Sequence, residues 1–316
     1  MGSQGKLFLK RMTFFDEIRR HGLLTSFRMS GVAIKRQARS FQRNLRLYRL
    51  RNEPVYQSPT ENELLSIEAD LNSLGITVSD YSPDPTKFKI FQEEAWFPQN
   101  YFGGIQSEVW VEKLLEHWLA SELLGLDKYS SDDIYVDIAA CNSPWAMTLR
   151  QRRNIAAFAI DISPIPATFS SFTYYKQEDA TKTSFASKAV RGASLQCAYE
   201  MFVRDNDINL IAELGRILLP GGKVVIAPLY MHTHYCAYST PEYYGKGYVD
   251  EHAKEYLRTD CLGVPSSRKY DAAELKRRVL DPIVKAGMKF QLLAIRNKAE
   301  LGKGVYCHFI LVIENA

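Results

Sequence analysis

The stretch YVDIAACNSPW, residues 135–145, decides how this chain is read. With Ile134 it opens as a short apolar run, IYVDIA, of the kind that forms a buried strand. It then becomes a compact loop leading into Pro144, a residue suited to a first helical turn. In an open α/β sheet such a loop lies beyond the carboxyl end of its strand, and the following helix turns its N-terminus toward a ligand. Glycine normally serves there, because it reaches positive φ and lets backbone approach a ligand closely. Here Ala139, Cys141 and Ser143 stand instead, the smallest alternatives. The expectation is a tight loop that keeps negative φ at these three. Asn142 is then the residue best suited to the left-handed region.

Outward from this strand, apolar runs and helical patterns alternate. IAAFAID (155–161), FTYYKQ (172–177) and ASLQCAY (193–199) read as strands. A helix over 206–219 is stopped by PGG (220–222), and KVVIAPLY (223–230) is a fifth strand. After a long connection come a helix over 272–286, ended by Gly287, and two strands, MKFQLLAI (288–295) and VYCHFILVIE (305–314). The last two are close enough for an antiparallel hairpin. The alternation predicts a parallel, doubly wound sheet. Upstream, a helix over 61–74 follows Ser58-Pro59-Thr60. The aromatic stretch KFKIFQEEAWFPQNYFGG is either a lid or core padding. A helix over 107–124 has Trp110, Val111, Leu114, Leu115, Trp118 and Leu119 as its buried stripe. Three regions result: a basic helical arm (1–52), a helical and aromatic cap (53–130) and the α/β domain (131–316).

The totals bound the function. The chain has 316 residues, 46% of them hydrophobic, enough for one sizeable core with a smaller addition. No apolar run is long enough to span a membrane, and MGSQGKLFLKR lacks the apolar stretch of a secretory signal. The five cysteines are widely spaced and form no C-x-x-C pair. A disulfide framework or zinc site is not expected, and a reducing cytoplasm fits. The net charge of +4 is uneven. Residues 1–52 hold 13 Lys/Arg against Asp16 and Glu17, a balance of +11, while the remainder carries 27 bases and 34 acids. Ile34, Ala38, Phe41, Leu45 and Tyr48 fall on one helical face, and Lys35, Arg36, Arg39, Arg43, Arg46 and Arg49 fill the other. Such a helix packs on the body, or it meets an anionic surface such as the inner membrane leaflet. At roughly 1 kcal/mol per basic residue the attraction is weak. No nucleic-acid module follows, and nucleic acid is not expected.

Candidate site residues follow from strand ends. Asp161 closes the second strand, where a carboxylate can accept both hydroxyls of a ribose. Asp179, after the third strand, could accept from an adenine amino group. Glu200 follows the fourth strand. His232, His234 and Tyr235 follow the fifth, and a histidine there suits a general base. His-x-His with Glu200 could hold a divalent metal, but nothing fixes a third ligand, and none is assigned. His117 either reaches a cofactor carboxylate or packs in the core. The insert 235–270 is rich in Tyr and Arg, suited to a sugar ring or to ordinary packing.

Over about residues 101–313 the chain resembles the class I S-adenosylmethionine-dependent methyltransferases. The likeness rests on YVDIAACNSP, AIDIS, QEDA, LQCAYEMF and AELGRILLPGGKVVIAPLY. It implies a Rossmann-like seven-stranded sheet with an antiparallel C-terminal hairpin, and S-adenosylmethionine as cofactor. The implied cofactor contacts are Asp137, Ala139, Ala140, Cys141, Asn142, Ser143, Asp161, Ile162, Asp179, Ala180, Tyr199 and His117. Where the family often carries Glu-His, this chain has Glu200-Met201. NSPW, the PLY after the fifth strand and SSRKYD look like methyltransferases of polysaccharide synthesis, which implies a sugar hydroxyl of a glycan or its precursor as acceptor. Rival readings are a methyltransferase of a small natural product or lipid, a non-catalytic scaffold of the same fold, and a nucleotide-dependent oxidoreductase. The last lacks G-x-G-x-x-G for a pyrophosphate.

Overall fold

The computed structural model describes residues 45–316, divided into the units Met1–Pro54 and Val55–Ala316. In the first unit, residues 45–49 are helical, as the basic arm predicts for Arg46 and Arg49. Lys35, Arg36, Arg39 and Arg43 lie outside the described residues.

The second unit begins with α1 (Glu61–Ser73). Thr60 caps it, and Glu63 reaches back to the Thr60 N–H at 2.8 Å, which satisfies two end amides reciprocally. Next come β1 (Val78–Tyr81), α2 (Pro85–Glu93) and α3 (Trp110–Leu124), the last ended by left-handed Gly125. The alternating part follows: β2 (Ile134–Ile138), α4 (Trp145–Arg153), β3 (Ala156–Asp161), β4 (Tyr175–Gln177), β5 (Val190–Gln196), α5 (Asn206–Ile217) and β6 (Leu218–Leu229). The long connection holds β7 (Cys236–Ser239), β8 (Lys254–Leu257) and β9 (Ser267–Lys269). Then come α6 (Ala272–Leu275), a π-helical turn (Lys276–Leu280), α7 (Asp281–Lys285), β10 (Met288–Ile295), α8 (Lys298–Leu301) and β11 (Phe309–Asn315).

The main sheet has eight strands in the order β1-β10-β11-β6-β5-β2-β3-β4, and β11 alone runs against the rest. The mostly parallel α/β sheet and its antiparallel C-terminal pair agree with the sequence. The count of seven does not. The eighth strand is β1, paired from Val78–Leu292 to Tyr81–Ile295. VSDY is too short and polar to show a strand period, so only its partner makes it one. It comes from the stretch read as a cap, which therefore contributes to the sheet itself. PGG does not end α5: the helix stops at Ile217, Leu218 is already extended, and PGG lies inside β6. The register jumps from Val190–Leu218 to Gly192–Lys223, and residues 219–222 bulge out between. The insert forms a separate three-stranded sheet, β8-β7-β9.

Alternation along β2 sorts the core into two layers. Val136 and Ile138 join Leu64, Leu210 and Ile283 on one face. Tyr135 joins Phe88, Leu115 and Trp145 on the other. Asp137 shares the Tyr135 side, so its carboxyl is carried into the layer beneath α3. That helix is buried far beyond its apolar stripe: Glu112, Lys113, Glu116 and His117 are buried too.

Candidate functional site

From β2 the chain winds outward to β3 and β4, then returns to β5 on the opposite side of β2. The loops leaving β2 and β5 therefore diverge, and a crevice opens between them at the sheet's carboxyl edge. This is the switch point of a doubly wound fold.

The β2 loop is drawn onto Asp161. The Cys141 N–H donates to Asp161 Oδ2 at 2.8 Å, and the Ser163 N–H donates to Oδ1 at 2.7 Å. The Ser143 N–H donates to the Ala140 carbonyl at 2.8 Å, and Tyr175 donates its hydroxyl to the Ser143 carbonyl at 2.7 Å. Turning this sharply requires positive φ, which falls at Ala139 (56°) and Cys141 (48°). The expected negative φ at these two, with Asn142 left-handed, is thus corrected. The left-handed residues stand where a glycine loop would have glycines, because the reversal itself demands that geometry. Each costs roughly 1–2 kcal/mol, which the bonds to Asp161 and within the loop offset.

Asp137 lies behind the loop, fully buried, and its Oδ2 has no hydrogen-bond partner. Burial pushes its carboxyl up to about 7, the Ser143 hydroxyl pulls it back, and the Asp161 charge adds to the rise. Ala140, Cys141, Ile160, Asp161, Pro166 and Tyr175 line a shallow crevice here, open to solvent. Beside it the Ile162 side chain is 72% exposed, an apolar surface without cover.

Across the switch point, Cys197 ends β5, also left-handed at φ 48°. Its thiol meets Glu116 Oε1 at 2.9 Å and the Tyr230 hydroxyl at 3.1 Å. Lys113 Nζ holds both Glu116 oxygens, at 2.9 and 3.0 Å. Burial works against the Lys113 charge, and Glu116 more than restores it, so the ammonium persists. Glu112 accepts the Tyr306 and Cys307 backbone N–H groups at 2.9 and 3.1 Å, while burial and then Glu116 push it up to about 8. Glu200 is buried with Oε2 unpartnered. Burial raises its pKa above the ordinary carboxylate value, and Lys269 opposes the rise. Burial in turn brings Lys269 down to about 8; its ammonium lies 3.8 Å from the Tyr230 ring centre.

The residues named from sequence divide among several places. Asp137, Ala139, Ala140, Cys141, Asn142, Ser143, Asp161 and Ile162 gather at or beside the β2 loop. Asp179 is exposed and accepts from the Thr181 N–H and hydroxyl, at 2.9 and 2.8 Å, while Ala180 packs in the core. Tyr199 is 2% exposed and donates to the Asp207 carbonyl, so it serves the core under β9 instead of lining the crevice. His117 is core as well. It lies among Phe97, Tyr101 and Trp145, its Nε2 3.1 Å from the Tyr101 hydroxyl, and burial lowers it to about 3, which keeps it neutral. Tyr235 donates to Asp250 Oδ2 at 2.6 Å. His232 and His234 do come together, their ring centres 4.4 Å apart, but in a second, open cavity. It is lined by Gln57, Ser58, Thr60, Glu63, Thr233 and Tyr256 and shares no lining residue with the crevice.

Sequence reasoning missed Glu112, Glu116, Cys197, Tyr230, Lys269 and Tyr306. The signal in WVEKLLEHWLA was present: three charges inside an otherwise apolar helix, with apolar neighbours on both sides.

No protein-family model and no curated protein matches the chain. Similar solved structures include the 1,6-didemethyltoxoflavin-N1-methyltransferase of Burkholderia thailandensis, at 10% identity over 83% of this chain and 94% of that one, TM-score 0.43. The geranyl diphosphate C-methyltransferase of Streptomyces coelicolor A3(2) is 13% identical over 82% and 99%, TM-score 0.38. A SAM-dependent methyltransferase of Methanosarcina mazei is 13% identical over 59% and 93%, TM-score 0.37. Likenesses this loose carry no argument, and the function has to rest on the chain's own geometry.

Proposed function

We propose that the chain is an S-adenosylmethionine-dependent methyltransferase whose cofactor lies across the crevice between the β2 and β5 loops. The observation that carries this reading is Asp161 at the switch point, tied to a tight loop and still able to accept. Each of its oxygens takes one backbone N–H, and a carboxylate offers about four lone-pair sites, so acceptor capacity for ribose hydroxyls remains. Exposed Ile162 offers an apolar cover for an adenine. Unpartnered Asp137 Oδ2 offers a buried acceptor for an ammonium beneath the loop. When bound, the cofactor supplies an activated methyl group. The chain's own residues position the acceptor and take its proton. Glu200 suits the proton acceptor better than the histidines do, because it stands at the end of β5, buried, with one oxygen unpartnered. The polar lining of the second cavity suits a hydroxylated acceptor, in keeping with a sugar hydroxyl of a glycan or its precursor. The basic arm would hold the enzyme at an anionic membrane face.

A non-catalytic member of the same fold is favoured by one observation: Cys141 already occupies a position on Asp161 that a ribose would approach. Calorimetric titration with S-adenosylmethionine and S-adenosylhomocysteine separates the two. Micromolar binding that Asp161→Ala abolishes supports the enzyme. A folded protein that binds neither is the scaffold.

A further inference from the structure

His232, His234 and Cys236 occupy alternate positions on a segment fixed at both ends. The His232 N–H donates to the Tyr270 carbonyl at 2.8 Å, the Tyr235 N–H donates to Asp271 Oδ2 at 3.0 Å, and Cys236 pairs with Lys269. One ligating atom from each of the three lies within 4.8 Å of the others. Zn–N and Zn–S bonds of about 2.0–2.1 and 2.3 Å at tetrahedral angles put ligand atoms about 3.3–3.6 Å apart, so small side-chain rotations close the set. Among the described residues no other such group of three is found, and Glu200, the third member considered from sequence, is not in it.

The nitrogens already face inward. The Tyr256 hydroxyl bonds His234 Nε2 at 2.8 Å. The Nδ1 atoms of both rings are left to the Thr233 hydroxyl, at 3.2 and 3.3 Å. With the outer nitrogens protonated, two acceptors share one hydroxyl proton. A cation satisfies both, while Tyr256 holds the His234 ring from outside. On the open side, His232 and His234 line the second cavity with Glu63 and Tyr256, leaving room for a fourth ligand. The charged groups around the set are Glu63, Lys254, Lys269 and Asp271. Burial pushes the Cys236 thiol up to about 12 against the pull of Lys269 and Lys254, so the metal itself has to displace the proton.

We infer that His232 Nδ1, His234 Nδ1 and Cys236 Sγ form a divalent transition-metal site of zinc type, with its fourth position open to the second cavity. Binding displaces the Cys236 thiol proton to solvent and forms one metal–sulfur and two metal–nitrogen bonds. An open fourth position is the arrangement that catalytic zinc sites use, and it faces the cavity proposed for a hydroxylated acceptor. The site itself does not depend on the methyltransferase reading.

The test uses the full chain, stripped by chelation and titrated with Co²⁺. The expected result is one ion per chain, with a near-ultraviolet thiolate-to-cobalt charge-transfer band and the visible bands of a four-coordinate ion, both erased by Zn²⁺. Cys236→Ser removes the charge-transfer band. His234→Ala, at a half-buried position, weakens Co²⁺ binding at least tenfold, and Tyr256→Phe weakens it about tenfold through the outer hydrogen bond. No charge-transfer band in the folded native protein overturns the proposal. So does unchanged Co²⁺ affinity in His234→Ala with its circular dichroism intact. S-adenosylhomocysteine titration of the same samples shows separately whether the cofactor reading stands.

Discussion

At the scale of single residues, the β2 loop stores strain at Ala139 and Cys141. Glycine relieves a left-handed φ worth roughly 1–2 kcal/mol and gives back roughly 0.5–1 kcal/mol in chain entropy. Ala139→Gly is therefore expected to stabilise the protein by about 0.5–1 kcal/mol in urea unfolding; a loss of stability would show that the methyl group packs usefully there. Asp137 makes a prediction in pH. Its folded value of about 7 lies above the ordinary value of 3.8, so the folded state binds the extra proton between those limits. The associated stability is complete below about pH 4 and is lost as pH rises through about 7. The size is ~4 kcal/mol at most, from about 1.4 kcal/mol per unit. Asp137→Asn should flatten this decline, read as a smaller stability difference between pH 5 and pH 8 than in the native protein. Glu112 and Glu200 are raised in the same direction, so part of the decline should survive.

At the scale of elements, the insert after β6 is tied to α5 through a buried carboxylate. Asp207, fully buried near the start of α5, accepts from Tyr270 at 2.8 Å and from Arg278 Nη2 at 2.7 Å, and pairs with Arg268 as well. Arg268 comes from β9 and Arg278 from the π-helical turn, so one carboxylate ties three elements together. Removing it takes from two buried guanidinium groups the one carboxylate they share. Asp207→Ala is expected to destabilise by about 3–5 kcal/mol, measured by chemical denaturation. A change below 1 kcal/mol would mean that Asp250 and Asp205, which also meet these arginines, carry the pairing. This staple positions Tyr270 and Lys269, and through them the floor of the second cavity and the neighbourhood of Glu200.

At the scale of the whole molecule, the charge asymmetry makes the membrane reading testable. No helix among the described residues is long and apolar enough to cross a membrane. Vesicles with anionic lipid are expected to retain the native protein at low salt. They should release the triple variant Arg39→Glu, Arg43→Glu, Arg46→Glu, while S-adenosylhomocysteine binding stays unchanged. Native protein that stays in solution with such vesicles ends the idea.

The sequence by itself determined the alternation of strands and helices, the helix start after Thr60, the C-terminal antiparallel pair and the cluster from Asp137 to Asp161. These are written in contiguous residues, as a period of apolar side chains or a turn-forming type, and need no distant partner to be legible. Tertiary structure alone decided the rest. VSDY became a strand because Leu292–Ile295 offered an edge. Glu112 became a buried staple because two backbone amides arrive from residues 306 and 307. His117 left the site for the core because Phe97, Tyr101 and Trp145 close around it. The His232–His234 pair gained Cys236 only because β7 is pinned to β9. The energy of a buried charge, a strained φ or a ligand cluster depends on neighbours far along the chain, and only folding brings those neighbours together.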